Sequence, residues 1–263
     1  PVRLQSSICF FTDADKLFPF VFTFIAGLST LIGIFPILIK VKNINKFISG
    51  SLAFASGVML TVSITDLIPE SLTMLKLNFN GTLTILLCFV FMVIGIIFSM
   101  LIDYYLPSDI VVEDTKLYKV GIVSMLAIIL HNIPEGIATY VTGVSNKTLA
   151  ISLTIAIALH NIPEGISIAV PIYYSTKSKF KAFLYTLISA ISEPFGALIA
   201  FLFLSKFNND ILLGILFAII AGIMSQISIC ELLPTSRKYN YKNVTLIFFI
   251  IGSIFMLLKF IFV

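Results

Sequence analysis

About eight apolar runs of ~20 residues, joined by short polar connections, fill most of this 263-residue chain. Wound as an α-helix, a run of that length matches the ~30 Å hydrocarbon core of a bilayer. The runs are read at Phe18–Ile39, Phe47–Leu67, Thr82–Ile102, Tyr118–Val144, Thr148–Tyr174, Phe183–Ser205, Ile211–Leu233 and Val244–Val263. No alternating strand pattern competes, and a segment in lipid must pair its own backbone groups, so the spans are helices. Composition agrees: 59% of residues are hydrophobic and 11% charged, against roughly 25% charge in a soluble domain. The expected architecture is an all-α membrane protein with eight transmembrane helices. Residues 1–263 form one polytopic domain, with a short segment over 1–17 and a short loop over 103–119.

Charge sets the expected orientation. Lys40, Lys42 and Lys46 follow span one, Lys116 and Lys119 follow span three, and Lys177, Lys179 and Lys181 follow span five. Arg237, Lys238 and Lys242 follow span seven, whereas the opposite side carries Arg3, Lys16, Lys76, Lys147 and Lys206. The Lys/Arg excess marks the cytoplasmic side, so the 1–17 segment and both termini face away from it. This asymmetry accounts for the net charge of +4 and leaves no nucleic-acid patch. Cys9, Cys88 and Cys230 form no close pair and read as small apolar residues. The sequence begins at Pro1 rather than Met, so it says nothing of a targeting segment upstream. Asn80-Gly-Thr and Asn146-Lys-Thr match the glycosylation pattern but lie close to the membrane.

Both histidines sit in a hexapeptide that occurs twice, His-Asn-Ile-Pro-Glu-Gly at His131–Gly136 and at His160–Gly165. An ionisable side chain at the bilayer centre costs roughly 2.5–3.5 kcal/mol on insertion scales, so it marks function by default. Helix geometry puts His131 and Glu135 on one face, and His160 and Glu164 on another. Asn132 and Asn161 lie about 100° around. Together the copies offer two imidazoles, two carboxamide oxygens and two carboxylates at similar depth. That donor set suits zinc or ferrous iron, and the lack of sulfur argues against copper(I). Pro134 and Pro163 are expected to kink their helices, with Gly136 and Gly165 allowing close approach. One copy alone could be His–Glu glue between helices; two copies with the same proline favour a ligand site.

The repeat has a wider frame. Consecutive spans joined by a short loop run antiparallel, so the two copies are related by a two-fold axis in the membrane plane, as in many transporters. Gly57-Val-Met…Asp66-Leu-Ile-Pro-Glu-Ser71 also matches Gly222-Ile-Met…Glu231-Leu-Leu-Pro-Thr-Ser236. Spans one to three are thus expected to mirror spans six to eight around the central pair. Further acids lie in or beside the apolar runs: Glu193 in Ser-Glu-Pro-Phe-Gly, Asp66 ending span two, and Glu231 at the duplicate position. Asp66 and Glu231 could also mark helix ends facing water. Gln226 and Ser228 read as packing or hydrogen-bonding residues, and the abundant Phe as lipid-facing bulk.

These segments together resemble the ZIP (Zrt-, Irt-like protein) family of divalent-metal transporters, over nearly the whole chain. The second copy, with His-Asn-Ile-Pro-Glu-Gly, is similar to the ZupT/GufA-type branch. The resemblance implies an eight-helix bundle with a binuclear site. His131, Glu135, His160 and Glu164 would hold a primary metal, with Asp66 at a span-two ligand position. Asn132, Asn161 and Glu193 would hold a second, with Glu135 and Glu164 bridging and Glu231 on the cytoplasmic exit. It also implies uptake of zinc or ferrous iron, with manganese, cadmium or cobalt as further candidates, into the cytoplasm by alternating access. An elevator-like shift of spans one, four, five and six goes with it. Homodimers in a plasma or organelle membrane, and no prosthetic group, are implied as well. Two departures stand out: Asp103–Lys119 holds no histidine, and span two supplies an acid where some relatives have His.

Rival classes fit less well. An intramembrane zinc hydrolase needs three ligands, an open water position and a separate base, and no His-Glu-x-x-His motif is present. A membrane scaffold leaves the buried acids without a role. A metal-selective channel shares the ligand set.

Overall fold

The computed structural model describes residues 13–105, 114–145, 147–207 and 210–258. Among them every regular element is helical. Helix α1 runs Asp13–Ser29 and tightens into a 3-10 segment, Thr30–Leu38. Then come α2 (Ile44–Lys76), α3 (Gly81–Tyr105), α4 (Thr115–Ser145), α5 (Lys147–Thr176), α6 (Lys179–Phe207), α7 (Asp210–Lys238) and α8 (Lys242–Leu257). Seven are long and apolar enough to cross a membrane, and α8 is a shorter apolar helix of 16 residues. The chain is an all-α, multi-pass membrane protein. Large apolar side chains face outward all round, among them Phe35, Phe89 and Phe180. In water such a surface would aggregate, and in lipid it is matched.

Several boundaries move. The span read as ending at Leu67 continues to Lys76, and the one read to Leu233 continues to Lys238. In both, a wide π turn precedes a proline: Ser63–Leu67 before Pro69, and Ile227–Leu232 before Pro234. The N–H of Ile68 reaches back five residues to Ser63, and that of Leu233 to Ser228. Widening the turn moves the carbonyl that the proline ring would strike, so the helix passes through. Asp66 and Glu231 therefore sit inside continuous helices, not at their ends. Pro134 and Pro163 lie inside α4 and α5, each of which runs on as helix past its proline. The 103–119 connection narrows, since α3 reaches Tyr105 and α4 starts at Thr115, where the Asp114 carboxylate accepts from Leu117 N–H at 3.0 Å. Residues 1–12 of the N-terminal segment, 106–113 of the loop and the end of the last span beyond Leu258 lie outside the described residues, as do Cys9 and Asn146.

Two four-helix groups emerge from close backbone contacts. In the first, α2, α3, α7 and α8, a Cβ added at Gly57 would strike the Phe249 carbonyl of α8, and one at Gly222 the Met92 carbonyl of α3. Gly252 abuts Phe54 just as Gly95 abuts Ile219. These contacts are mirror images under the repeat that relates α2 to α7. The hydroxyls repeat the pattern: Ser71 donates to the Gly214 carbonyl, and Ser236 to that of Ser49, both at 2.7 Å. The second group, α1, α4, α5 and α6, packs by the same device around the hexapeptides. Small residues at crossings let helices gain van der Waals contact that lipid cannot supply. Between the groups lies an apolar core including Val58 and Met59 of α2, Val123 and Ile128 of α4, Ile168 and Ile172 of α5, and Met224 of α7.

Candidate metal centre

Helices α4 and α5 cross so that the two hexapeptides meet. His131 and Glu135, one turn apart on α4, face His160 and Glu164 of α5. His160 Nε2 lies 2.9 Å from Glu135 Oε1, and His131 Nε2 lies 3.6 Å from Glu135 Oε2 and 3.7 Å from Glu164 Oε1. The imidazole centroids are 5.9 Å apart. One ligand atom each from His131, His160 and Glu164 falls within 4.8 Å of the others. Each glutamate thus approaches the histidine of the opposite copy, as an in-plane two-fold requires.

The asparagines are oriented by backbone carbonyls. Asn132 Nδ2 donates to the Ser189 carbonyl of α6 at 3.2 Å, and Asn161 Nδ2 to the Ala26 carbonyl of α1 at 3.0 Å. Asn161 Nδ2 also donates to Glu193 Oε2 at 2.9 Å. With the amide nitrogens engaged, both carboxamide oxygens remain as acceptors. Gly136 and Gly165 make this approach possible: a Cβ at Gly136 would strike the Glu193 carbonyl, and one at Gly165 that of Thr30.

Buried atoms at this centre lack hydrogen-bond partners in unusual number. They are both ring nitrogens of His131, His160 Nδ1, Asn132 Oδ1, Asn161 Oδ1, both carboxylate oxygens of Glu164, and Glu193 Oε1. Glu164 and Glu193 are wholly buried. Leaving one such group unsatisfied costs about 1–3 kcal/mol, and structural glue would pair them. Nitrogen and oxygen ligand atoms converging with so few hydrogen bonds among them are what a borderline divalent cation needs.

The remaining acids are placed less centrally. Asp66 is half-buried in its wide turn, accepts from Thr65 Oγ1 at 3.3 Å, and lies within electrostatic reach of both imidazoles. Glu231 is elsewhere: it is half-buried beside Gln226, with Asp103, Lys116 and Lys119 as its charged neighbours. The structure thus gathers His131, Asn132, Glu135, His160, Asn161, Glu164 and Glu193, sets Asp66 beside them, and leaves Glu231 toward the α3–α4 connection. Gln226 and Ser228 hydrogen-bond between helices, to Ser99 at 2.7 Å and Ser56 at 2.9 Å. A buried residue that the motifs did not flag, Thr30, also borders the centre through its carbonyl against Gly165.

Comparison with known proteins gives a consistent picture. A family model described as ZIP zinc transporter matches residues 107–259. The chain is 39% identical to the zinc transporter ZupT of Clostridium perfringens, over 92% of this chain and 94% of that protein. It is 40% identical to the zinc transporter ZupT of Streptococcus mutans, over 90% and 94% respectively. A similar relative from Campylobacter jejuni, also a zinc transporter ZupT, is 34% identical over 95% of this chain and 97% of that protein.

Proposed function

The chain belongs to the ZIP zinc transporter family, and on that premise we propose that it carries zinc, and ferrous iron as a second substrate, through a binuclear centre built from both hexapeptides. The family is one of transporters and not of enzymes. The observation that carries the reading is the convergence of His131, His160 and Glu164 within 4.8 Å, with Glu135 2.9 Å from His160. In this reading His131, His160, Glu135, Glu164 and Asp66 hold the first ion. Asn132, Asn161 and Glu193 hold the second, with Glu135 and Glu164 shared. Charge balance supports two ions: Asp66, Glu135, Glu164 and Glu193 bring four carboxylates, which two divalent cations neutralise. Ions buried in low dielectric are tolerable only when paired in this way.

Movement follows from how the two groups are joined. The inter-helix hydrogen bonds and glycine contacts described above stay within one group or the other, while apolar side chains line the boundary. A boundary of that kind can slide, since few directional bonds need to break. We take α1, α4, α5 and α6 as the carrying group, which shifts the ions past α2, α3, α7 and α8 and releases them on the Lys-rich, cytoplasmic side. Glu231 then lies on the exit route, among Lys116 and Lys119. Manganese, cadmium and cobalt remain candidate substrates, and the protein works as a homodimer in a plasma or organelle membrane.

The test is zinc uptake into proteoliposomes by the full chain and by Glu135→Ala and Glu164→Ala. Both variants are expected to lose nearly all uptake, and full transport by either contradicts the assignment.

A further inference from the structure

Around the paired hexapeptides the polar contacts come in twos, with one unequal pair. Helix α1 stands to α5 as α6 stands to α4. Asn161 donates to the Ala26 carbonyl just as Asn132 donates to that of Ser189. Gly165 abuts the Thr30 carbonyl just as Gly136 abuts that of Glu193. The hydroxyls of Ser29 and Ser192 bond the carbonyls of Ala26 and Ser189, each at 2.6 Å. The local sequences keep the same register, Ser29-Thr-Leu-Ile-Gly33 against Ser192-Glu-Pro-Phe-Gly196. Thr30 therefore occupies, on its side of the two-fold, the position that Glu193 occupies on the other.

Thr30 is wholly buried, and its hydroxyl oxygen has no hydrogen-bond partner. Threonine inside a helix ordinarily satisfies its hydroxyl on a carbonyl three or four residues back. Thr61, Thr154 and Thr186 do so here, at 2.8, 2.7 and 2.8 Å. Thr30 does not, nor do Thr139 and Thr235, and an unsatisfied buried hydroxyl costs about 1–3 kcal/mol; of the three, Thr30 is the one that stands across the two-fold from Glu193. The Glu193 carboxylate is tied to Asn161, whereas Asn132, the mate of Asn161 in the other copy, has a carboxamide oxygen without a partner.

We propose that Thr30 is a positioning residue for the second metal: its hydroxyl holds a water that ligates the ion from the face opposite Glu193. A threonine hydroxyl is one bond from Cβ, whereas a glutamate carboxylate lies two carbons farther out. One water covers the shortfall, and the hydroxyl and the ion give it the minimum of about two polar partners. The pair then supplies one charged and one neutral arm, which keeps the carboxylate charge matched to two divalent ions. This inference rests on the binuclear reading above. Partners that orient a ligand in this way are worth about 10–100-fold in metal affinity when removed.

The test uses the full chain in lipid nanodiscs, with zinc binding by calorimetry and the cobalt(II) absorption spectrum as the report on ligand geometry. The wild type is expected to take up two ions per chain. Thr30→Val, nearly isosteric, weakens the weaker ion about tenfold, leaves the tighter one unchanged, and alters the cobalt spectrum of the weaker ion only. Thr30→Ser restores affinity and spectrum. Should the valine variant lose both ions, Thr30→Ala against Thr30→Ser carries the same comparison without added bulk. Wild-type affinity and spectrum in Thr30→Val, or in Thr30→Ala where that variant is used, overturn the inference if Glu193→Gln still loses the weaker ion. If Glu193→Gln keeps both ions, the binuclear reading itself fails and this inference falls with it.

Discussion

The two four-helix groups of this protein pack by the same device and treat their polar atoms in opposite ways. In α2, α3, α7 and α8, most buried hydroxyls find partners, Thr235 excepted: Ser49, Ser236 and Thr245 form a closed set at 2.9–3.3 Å, and Ser56 pairs with Ser228 at 2.9 Å. In α1, α4, α5 and α6, His131, the carboxamide oxygens of Asn132 and Asn161 and both carboxylate oxygens of Glu164 are buried without hydrogen bonds. Glycine against backbone carbonyl holds both groups together. The difference teaches that packing and polar satisfaction are separable here: the same glycine contacts hold a group whose hydroxyls pair with one another and a group that keeps buried polar atoms without partners.

The comparison can be broken at the site first. Glu164→Gln is expected to lower zinc uptake at least about a hundredfold, beyond what a ligand-orienting partner is worth. The metal-free protein should melt no lower than wild type, because a wholly buried carboxylate without hydrogen bonds is being neutralised. A large fall in melting temperature would mean that the site also holds the fold together. In the other group the signs reverse. Gly57→Leu and Gly222→Leu drive a side chain into a facing carbonyl, and overpacking of that kind costs about 1–3 kcal/mol. Thermal melts in nanodiscs should show the loss while zinc affinity in the folded protein is kept. Gly81→Ala, with nothing within 4 Å of the added carbon, is the matched control.

Finer effects sharpen the contrast. Asn161→Asp adds a charge at the proposed second ion and should change the order of preference among zinc, iron, manganese, cadmium and cobalt in competition uptake. An unchanged order would remove Asn161 from the ligand set. The smallest effect is expected from Ser228→Ala, which breaks bonds worth about 0.6 kcal/mol on average in a membrane interior. It should lower the melting point slightly without changing uptake.

Much of this was legible in the residues, because the forces that act in a bilayer are few. Length and hydropathy alone marked the spans, and the doubled hexapeptide marked the candidate site, since charge at depth is costly. Span ends were harder. The spans read as ending at Leu67 and Leu233 run on, because π turns carry the helices past Pro69 and Pro234, and nothing local in the sequence announces a wide turn. Asp66 and Glu231 hold duplicate positions in the sequence, but Asp66 lies within electrostatic reach of the histidines and Glu231 has Asp103, Lys116 and Lys119 as its charged neighbours. Thr30 escaped notice because a threonine in a helix is unremarkable until its mate, Glu193, is known in three dimensions.

The central claim is that both copies of the hexapeptide hold one metal centre, and X-ray absorption at the zinc edge on the loaded protein tests it most directly. The account predicts a shell of nitrogen and oxygen at about 2.0–2.2 Å, with imidazole scattering that diminishes in His131→Ala and again in His160→Ala. A sulfur shell at about 2.3 Å, or imidazole scattering untouched by either substitution, would contradict it.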